Sequence, residues 1–244
     1  MKILSPIFVA FPALLMLGSC GQPVAQAAAE KPVKAATNAN TGTVVVELYQ
    51  SQGCSSCPPA NAALNAIADR SDVIALSFAV TYWDRLGWKD TFADPAYTDR
   101  QHAYAAALKN DSVYTPQVVL NGKTAIVGNG DGELNGAVAK AARLGKSPPI
   151  TAANGSVTIG AGKGSADIVL IDYDPRSQLV AIRAGENGGK KLPHNNIVRQ
   201  LTTLGSWSGK AVTFKVPAKR DAAWKTVVIV QSKKTGPILA AGRI

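Results

Sequence analysis

The chain has 244 residues, 46% of them hydrophobic, enough apolar sequence for one large core or two smaller ones. Its formal charge of +10 would admit a nucleic acid partner on charge alone. However, Lys89, Lys123, Lys146, Lys163, Arg176, Lys210 and Lys219 are scattered instead of forming a run, which argues for a solvated basic surface and no nucleic acid.

Residues 1–19 read as an export signal: Lys2 supplies the positive start, and Ile7–Leu17 is an apolar run broken by Pro12 and too short to span a bilayer. Two processing routes compete. Leu17-Gly18-Ser19-Cys20 resembles a lipobox, which would put acyl chains on Cys20; Ala25-Gln26-Ala27 offers a small-x-small cleavage site that would discard Cys20 and extend the signal to residue 27. Both routes carry the protein to the bacterial cell envelope or periplasm, with lipid on Cys20 as its one membrane link. Residues 20–42 have no apolar period and read as a tether.

Thr43–Tyr49 is a β-branched run suited to a buried strand, and Ser51–Pro59 is a loop leading into a helix over Ala60–Arg70, where Leu64, Ile67 and Ala68 share a face. Val73–Thr81 returns to strand composition. The loop Tyr82–Asp94 follows, then a helix through Pro95–Lys109, and Pro116 precedes a hairpin over Gln117–Val127 turning at Asn121-Gly122. Asp131–Leu144 reads as a helix stopped at Gly145. Beyond Pro149 come seven β runs: Ser156–Gly160, Ala166–Tyr173, Gln178–Ala184, Ile197–Leu204, Ala211–Val216, Lys225–Gln231 and Ile238–Ile244. The expected architecture is an α/β thioredoxin-like N-terminal domain (β-α-β-α-β-β-α, residues 43–147) followed by an all-β, sandwich-like C-terminal domain (residues 150–244).

The chemistry centres on Cys54-Ser55-Ser56-Cys57. A thiol exchanges with a disulfide only as thiolate, and a helix N-terminus stabilises that charge. Cys54 is expected to attack and Cys57 to resolve one turn later. Pro58 and Pro59 carry no N–H, so the Ser56 and Cys57 amides and the helix dipole are left to hold the thiolate. Water must reach Cys54 for this to work. Tyr114-Thr115-Pro116 stands where thioredoxin-type proteins carry a cis proline beside the dithiol, leaving the Thr115 backbone free to pair with an extended substrate; an ordinary trans proline is the alternative.

Other uses of the pair compete. Zinc needs about four ligands, and only His102 and His194 accompany the cysteines. Copper(I) could be held by two thiolates. An inert disulfide staple also fits an exported protein.

The segments ELYQSQGCSSCPPANAALNAIA, TYWDRLGWKDTFADPAYTDRQHAYA, YTPQVVLNG, GENGGKKLPHNNIVRQLTTLGSWSG and GPILAAGRI resemble the secreted thioredoxin-like proteins of the DUF1223 family, over residues 43–244. The resemblance implies a thioredoxin-like first domain, a β-rich second part and a redox role, and leaves the activity undefined. Unlike better-understood thioredoxins, the chain has Gly53 before the first cysteine, Ser55-Ser56 between the cysteines and two prolines after them. Trp83, Asp84, Trp88 and Tyr114 are expected to fold over the dithiol and bind substrate, or else the tryptophans pack the two domains together. Glu186, His194 and Arg199 are expected to form a charged structural cluster. The leading expectation is an exported thiol-disulfide oxidoreductase acting on protein thiols or disulfides without a metal or cofactor. A copper(I)-handling or adaptor protein using the same loop is the alternative.

Overall fold

The computed structural model describes residues 43–144 and 148–244; the expected signal, the tether and Cys20 lie outside them. In chain order the first elements are β1 (Val44–Gln50), α1 (Cys57–Ile67), β2 (Val73–Ala79), a 3-10 turn (Asp84–Leu86), α2 (Pro95–Leu108), β3 (Gln117–Leu120), β4 (Thr124–Ile126) and α3 (Asp131–Lys140). The rest is β structure: β5 (Ile150–Ala153), β6 (Ser156–Ile159), β7 (Ala166–Asp174), β8 (Gln178–Ala181), β9 (Lys191–His194), β10 (Ile197–Trp207), β11 (Val212–Lys215), β12 (Lys225–Ser232) and β13 (Ile238–Arg243).

Every residue of β1 is buried, as a strand covered on both faces requires. Val44, Val46 and Leu48 meet Ala60 and Leu64 of α1 and Leu134 and Val138 of α3. Val45 and Tyr49, on the other face, pack with Tyr97 and Tyr104 of α2. β1 runs parallel to β2 and antiparallel to β3. The β3–β4 turn puts Asn121 and Gly122 at φ 49° and 63°. A Cβ on Gly122 would come within 2.8 Å of the Gly236 carbonyl, so only glycine fits.

One eight-stranded sheet, ordered β13-β12-β7-β10-β2-β1-β3-β4, draws strands from both sides of residue 150. The expected boundary there marks where helices stop, while the sheet runs across it. The join is short: Ile197 of β10 lies parallel to Ser77 of β2, whose N–H donates to the Asn196 carbonyl at 2.9 Å. Buried Asn196, at φ 51°, also gives its side-chain amide to the Ala75 carbonyl at 2.9 Å.

Strand alternation puts Val169, Ile171 and Tyr173 in the cluster around α2, and Ile168 and Leu170 in a second cluster with Ile150, Val157 and Ile159 of the small β11-β6-β5 sheet. Beyond β12, the Ile238 N–H donates to the Asn121 carbonyl at the β3–β4 turn (2.9 Å), so the sheet curls around α2.

Two strands escaped the sequence pattern. β5 is a run of four residues, Ile150–Ala153, too short to show an alternation. β9 contains Pro193, which removes a ladder donor and ordinarily argues against a strand. It is tolerated because, among the described residues, β9 pairs only with β8.

Glu47 is fully buried on the α2 side of β1 and needs a partner there. Arg100 supplies it through Nε and Nη2 at 2.7 and 3.0 Å, while the Tyr104 and Tyr49 hydroxyls donate at 2.6 and 3.0 Å. Removing one partner strands a buried charge. Glu47→Ala or Arg100→Ala is therefore expected to cost about 3 kcal/mol or more in urea unfolding. The paired Glu47→Leu/Arg100→Met variant is expected to lose much less.

Candidate functional site

β1 delivers the chain into the loop Ser51–Ser56, and α1 begins at Cys57, earlier than its apolar face suggests. Cys54 and Cys57 are joined by a disulfide, with Cα atoms 5.4 Å apart. The Cys57 N–H donates to the Cys54 carbonyl at 3.2 Å, fixing the turn between them. That corrects the expected donor set, because this amide is committed to oxygen and is not available to the sulfur.

Two hydroxyls meet the Cys54 sulfur. Thr115 Oγ1 donates to Sγ at 3.4 Å, and Ser56 Oγ lies 3.3 Å from it. The Thr115–Pro116 peptide bond is cis, and Thr115, just before β3, lies against the Cys54 sulfur. Trp83 Nε1 donates to Thr115 Oγ1 at 2.8 Å, and Trp88 Nε1 donates to Gln52 Oε1 at 2.8 Å.

The segment between β8 and β9 closes the other side. Asn187, fully buried, donates from Nδ2 to the carbonyls of Gln52 (3.0 Å) and Cys54 (2.7 Å) and accepts from Lys190 Nζ through Oδ1. Glu186 Oε2 accepts from the Ser55 N–H and hydroxyl at 2.9 and 2.6 Å, and these bonds hold its carboxyl below the usual range. Gly185 sits so close to Gly53 that a Cβ on it would stand 3.4 Å from the Gly53 Cα.

Cys54 is 0% and Cys57 1% exposed, so the open access expected for Cys54 is absent. The cover is one side chain deep, since Ser56 is exposed and Thr115 only partly buried.

A family model described as "Protein of unknown function (DUF1223)" matches residues 45–231. The chain belongs to the DUF1223 family. The crystal structure of a protein from Agrobacterium tumefaciens (AGR_C_4864) is 32% identical, covers 82% of this chain and 93% of its own, and superposes with a TM-score of 0.66. HBP35 of Porphyromonas gingivalis is 14% identical, over 84% of this chain and 75% of its own, with a TM-score of 0.47, too distant to carry an argument. No curated protein matches.

In this DUF1223 chain the expected site residues divide. Cys54, Cys57, Thr115, Pro116 and Trp83 come together. Trp88 is one residue removed, on Gln52 and beside Gly185. Asp84 accepts from the Asp90 N–H at 3.1 Å and shapes its own loop. Tyr114 offers its carbonyl to Gln101 Nε2 at 2.8 Å. The expected cluster of Glu186, His194 and Arg199 does not form: Glu186 is on Ser55, while His194 and Arg199 each contact the Phe92 ring, with centroid distances of 5.6 and 4.5 Å. Gln52, Asp90, Asn187 and Asn61 went unsingled in the sequence. Only the glycines around Asn187 hinted at a tight approach.

Asn61, one turn after Cys57, donates from Nδ2 to the Pro193 carbonyl at 3.0 Å, which fixes its amide orientation. The same nitrogen lies 2.9 Å from His194 Nδ1, so that ring nitrogen accepts and the ring is neutral. Burial pushes His194 down to about 4. Asp90, whose carboxylate accepts from the Gln52 and Phe92 N–H groups, is pushed up by burial to about 6.

The two titrations act in opposite senses. Between pH 4 and 6.5 the unfolded state binds the His194 proton more tightly, so that contribution to stability is complete above pH 6.5 and lost as pH falls toward 4. For Asp90 the folded state binds the proton more tightly, so stability falls as pH rises from 3.8 to 6. Urea midpoints across pH 4–7 should show His194→Gln losing less stability on acidification than the parent protein. Asp90→Asn should lose more.

Proposed function

We propose that the protein is a thiol-disulfide oxidoreductase with a thioredoxin-like N-terminal half and an all-β C-terminal half that roofs its dithiol, acting on protein thiols or disulfides. The observation that carries this reading is the Cys54–Cys57 bond at the start of α1, facing the cis Thr115–Pro116 bond, with the Thr115 hydroxyl on the Cys54 sulfur. A staple role is a weaker account, because closing so short a loop removes little freedom from the unfolded chain. Residues 1–27 support delivery to an oxidising, extracytoplasmic compartment.

In the oxidising direction, a substrate thiolate attacks Cys54 Sγ, the Cys54–Cys57 bond breaks, and Cys57 leaves with the electron pair. A second substrate thiolate then attacks the substrate sulfur of the mixed disulfide and releases Cys54 as thiolate. The substrate dithiol ends as a disulfide and the protein as a dithiol. Reduction of a substrate disulfide runs the same steps backwards, with Cys54 attacking.

Burial of Cys54 adds a requirement: Ser56, Thr115 or the Gly185–Asn187 segment must shift before a thiolate can reach the sulfur in line. Glu186 holds that segment to Ser55 through surface hydrogen bonds, and its negative charge also opposes a thiolate at the start of α1.

Insulin reduction by the full chain tests the reading: Cys54→Ser and Cys57→Ser should both abolish turnover, and equal activity in all three proteins would reject it. Tight stoichiometric copper(I) binding by the reduced protein, without turnover, would replace it with copper handling. Glu186→Ala should speed reduction of the disulfide by dithiothreitol about fivefold, the effect of about 1 kcal/mol on opening. A disulfide that resists dithiothreitol in both proteins would mark a staple.

A further inference from the structure

The amide donors that ordinarily face a sulfur at a helix start are nearly all committed here. The Ser55 N–H is held by Glu186, the Cys57 N–H by the Cys54 carbonyl, and Pro58 and Pro59 have none. Only the Ser56 amide is left among the described residues of that turn. A thiolate at Cys54 therefore depends on the two hydroxyls beside it.

Those hydroxyls are not equivalent. Ser56 Oγ has a choice of acceptors, with the Thr115 carbonyl and Cys54 Sγ both at 3.3 Å. Thr115 Oγ1 is more constrained, for a reason that lies in Trp83. An indole N–H can only donate, so Thr115 Oγ1 accepts from Trp83 Nε1 at 2.8 Å. Its own proton must then point elsewhere; the Tyr82 hydroxyl is within hydrogen-bonding reach of Thr115, and Cys54 Sγ, 3.4 Å away, is the acceptor that lies at the dithiol. Trp83 thus sets the direction of a hydroxyl it does not own.

We infer that Trp83 is a positioning residue for Cys54: its indole N–H fills an acceptor position of the Thr115 hydroxyl and turns that hydroxyl toward donating to the sulfur, and the hydroxyl is the main donor to the thiolate once the disulfide opens. The inference rests on the thiol-exchange reading of the site. It adds that the chain compensates for Pro58 and Pro59 with a relay from the loop after β2, through the residue before the cis proline. In the disulfide the sulfur is a weak acceptor; in the thiolate the bond becomes charge-assisted and strengthens. The relay therefore favours the thiolate over both the thiol and the disulfide.

The test is the pH profile of iodoacetamide alkylation of the reduced full chain, followed by peptide mass so that Cys54 is scored apart from Cys57 and Cys20. Thr115→Val should raise the Cys54 midpoint by about one pH unit, as expected for loss of one hydrogen bond to a charged group. Trp83→Phe should raise it by about half as much, and Thr115→Ser should keep the parent midpoint. Because Trp83 acts through Thr115, the Trp83→Phe/Thr115→Val double variant should match Thr115→Val alone. An unchanged midpoint in Trp83→Phe, or additive shifts, would overturn the inference.

A second measurement needs no variant. The Trp83 indole N–H proton resonance of the reduced protein should titrate with the Cys54 alkylation midpoint, and a resonance that stays still through that pH range would overturn the inference. Neither readout involves a protein substrate, so failure here leaves the insulin result standing, and inactivity on insulin leaves the relay standing.

Discussion

The side-chain nitrogen of Asn187 holds the carbonyls of Gln52 and Cys54 at once, and the cysteine loop takes its shape from that contact. Both carbonyls belong to buried residues, where an unmet acceptor is costly. The loop cannot meet them itself, since the Cys57 N–H already fills one position on Cys54 and prolines occupy the next two. A residue from the β8–β9 connection completes the turn. The cysteine site is therefore built by both halves of the chain.

That long-range contact is possible because β10 joins the edge of β2 and carries the C-terminal strands into the same sheet as β1. β1 is buried on both faces, against α1 and α3 on one side and α2 on the other, so its end is held firmly. Asn61 and Asn65 of α1 then bind the Pro193 carbonyl of β9, tying the β8–β9 hairpin to the helix that begins at Cys57. A proline that is poor in a ladder serves here as an acceptor.

The electrostatics of the site follow from the same assembly. Glu186 places a carboxylate on the Ser55 amide, where a thiolate would otherwise profit from the start of α1. Hydroxyls of Ser56 and Thr115 take the place of amides at the sulfur. Around them burial keeps His194 neutral, and burial, with the nearby Asp84 charge adding to it, raises Asp90 to about 6. The arrangement keeps the oxidised pair covered by Ser56, Thr115 and the Gly185–Asn187 segment.

Much of this fold was legible residue by residue. The strands and helices through α3, the Asn121-Gly122 turn and the cysteine pair all announce themselves through apolar spacing and turn chemistry, which involve neighbours in the chain. β5 and β9 did not, being short and, in β9, interrupted by Pro193. Nor did the roles of Gln52, Asn61, Asp90 and Asn187, which have no periodicity to betray them. Glu186, His194 and Arg199 looked like one cluster because they are close in sequence, yet the β8–β9 hairpin and β10 send them to different neighbours. By itself the sequence determined most of the elements and the cysteine pair, because both rest on local propensity and on residue chemistry. Only the tertiary structure decided what covers Cys54 and which distant groups face it, because Thr115 and Asn187 arrive from 61 and 133 residues away along a sheet whose strand order no local pattern encodes.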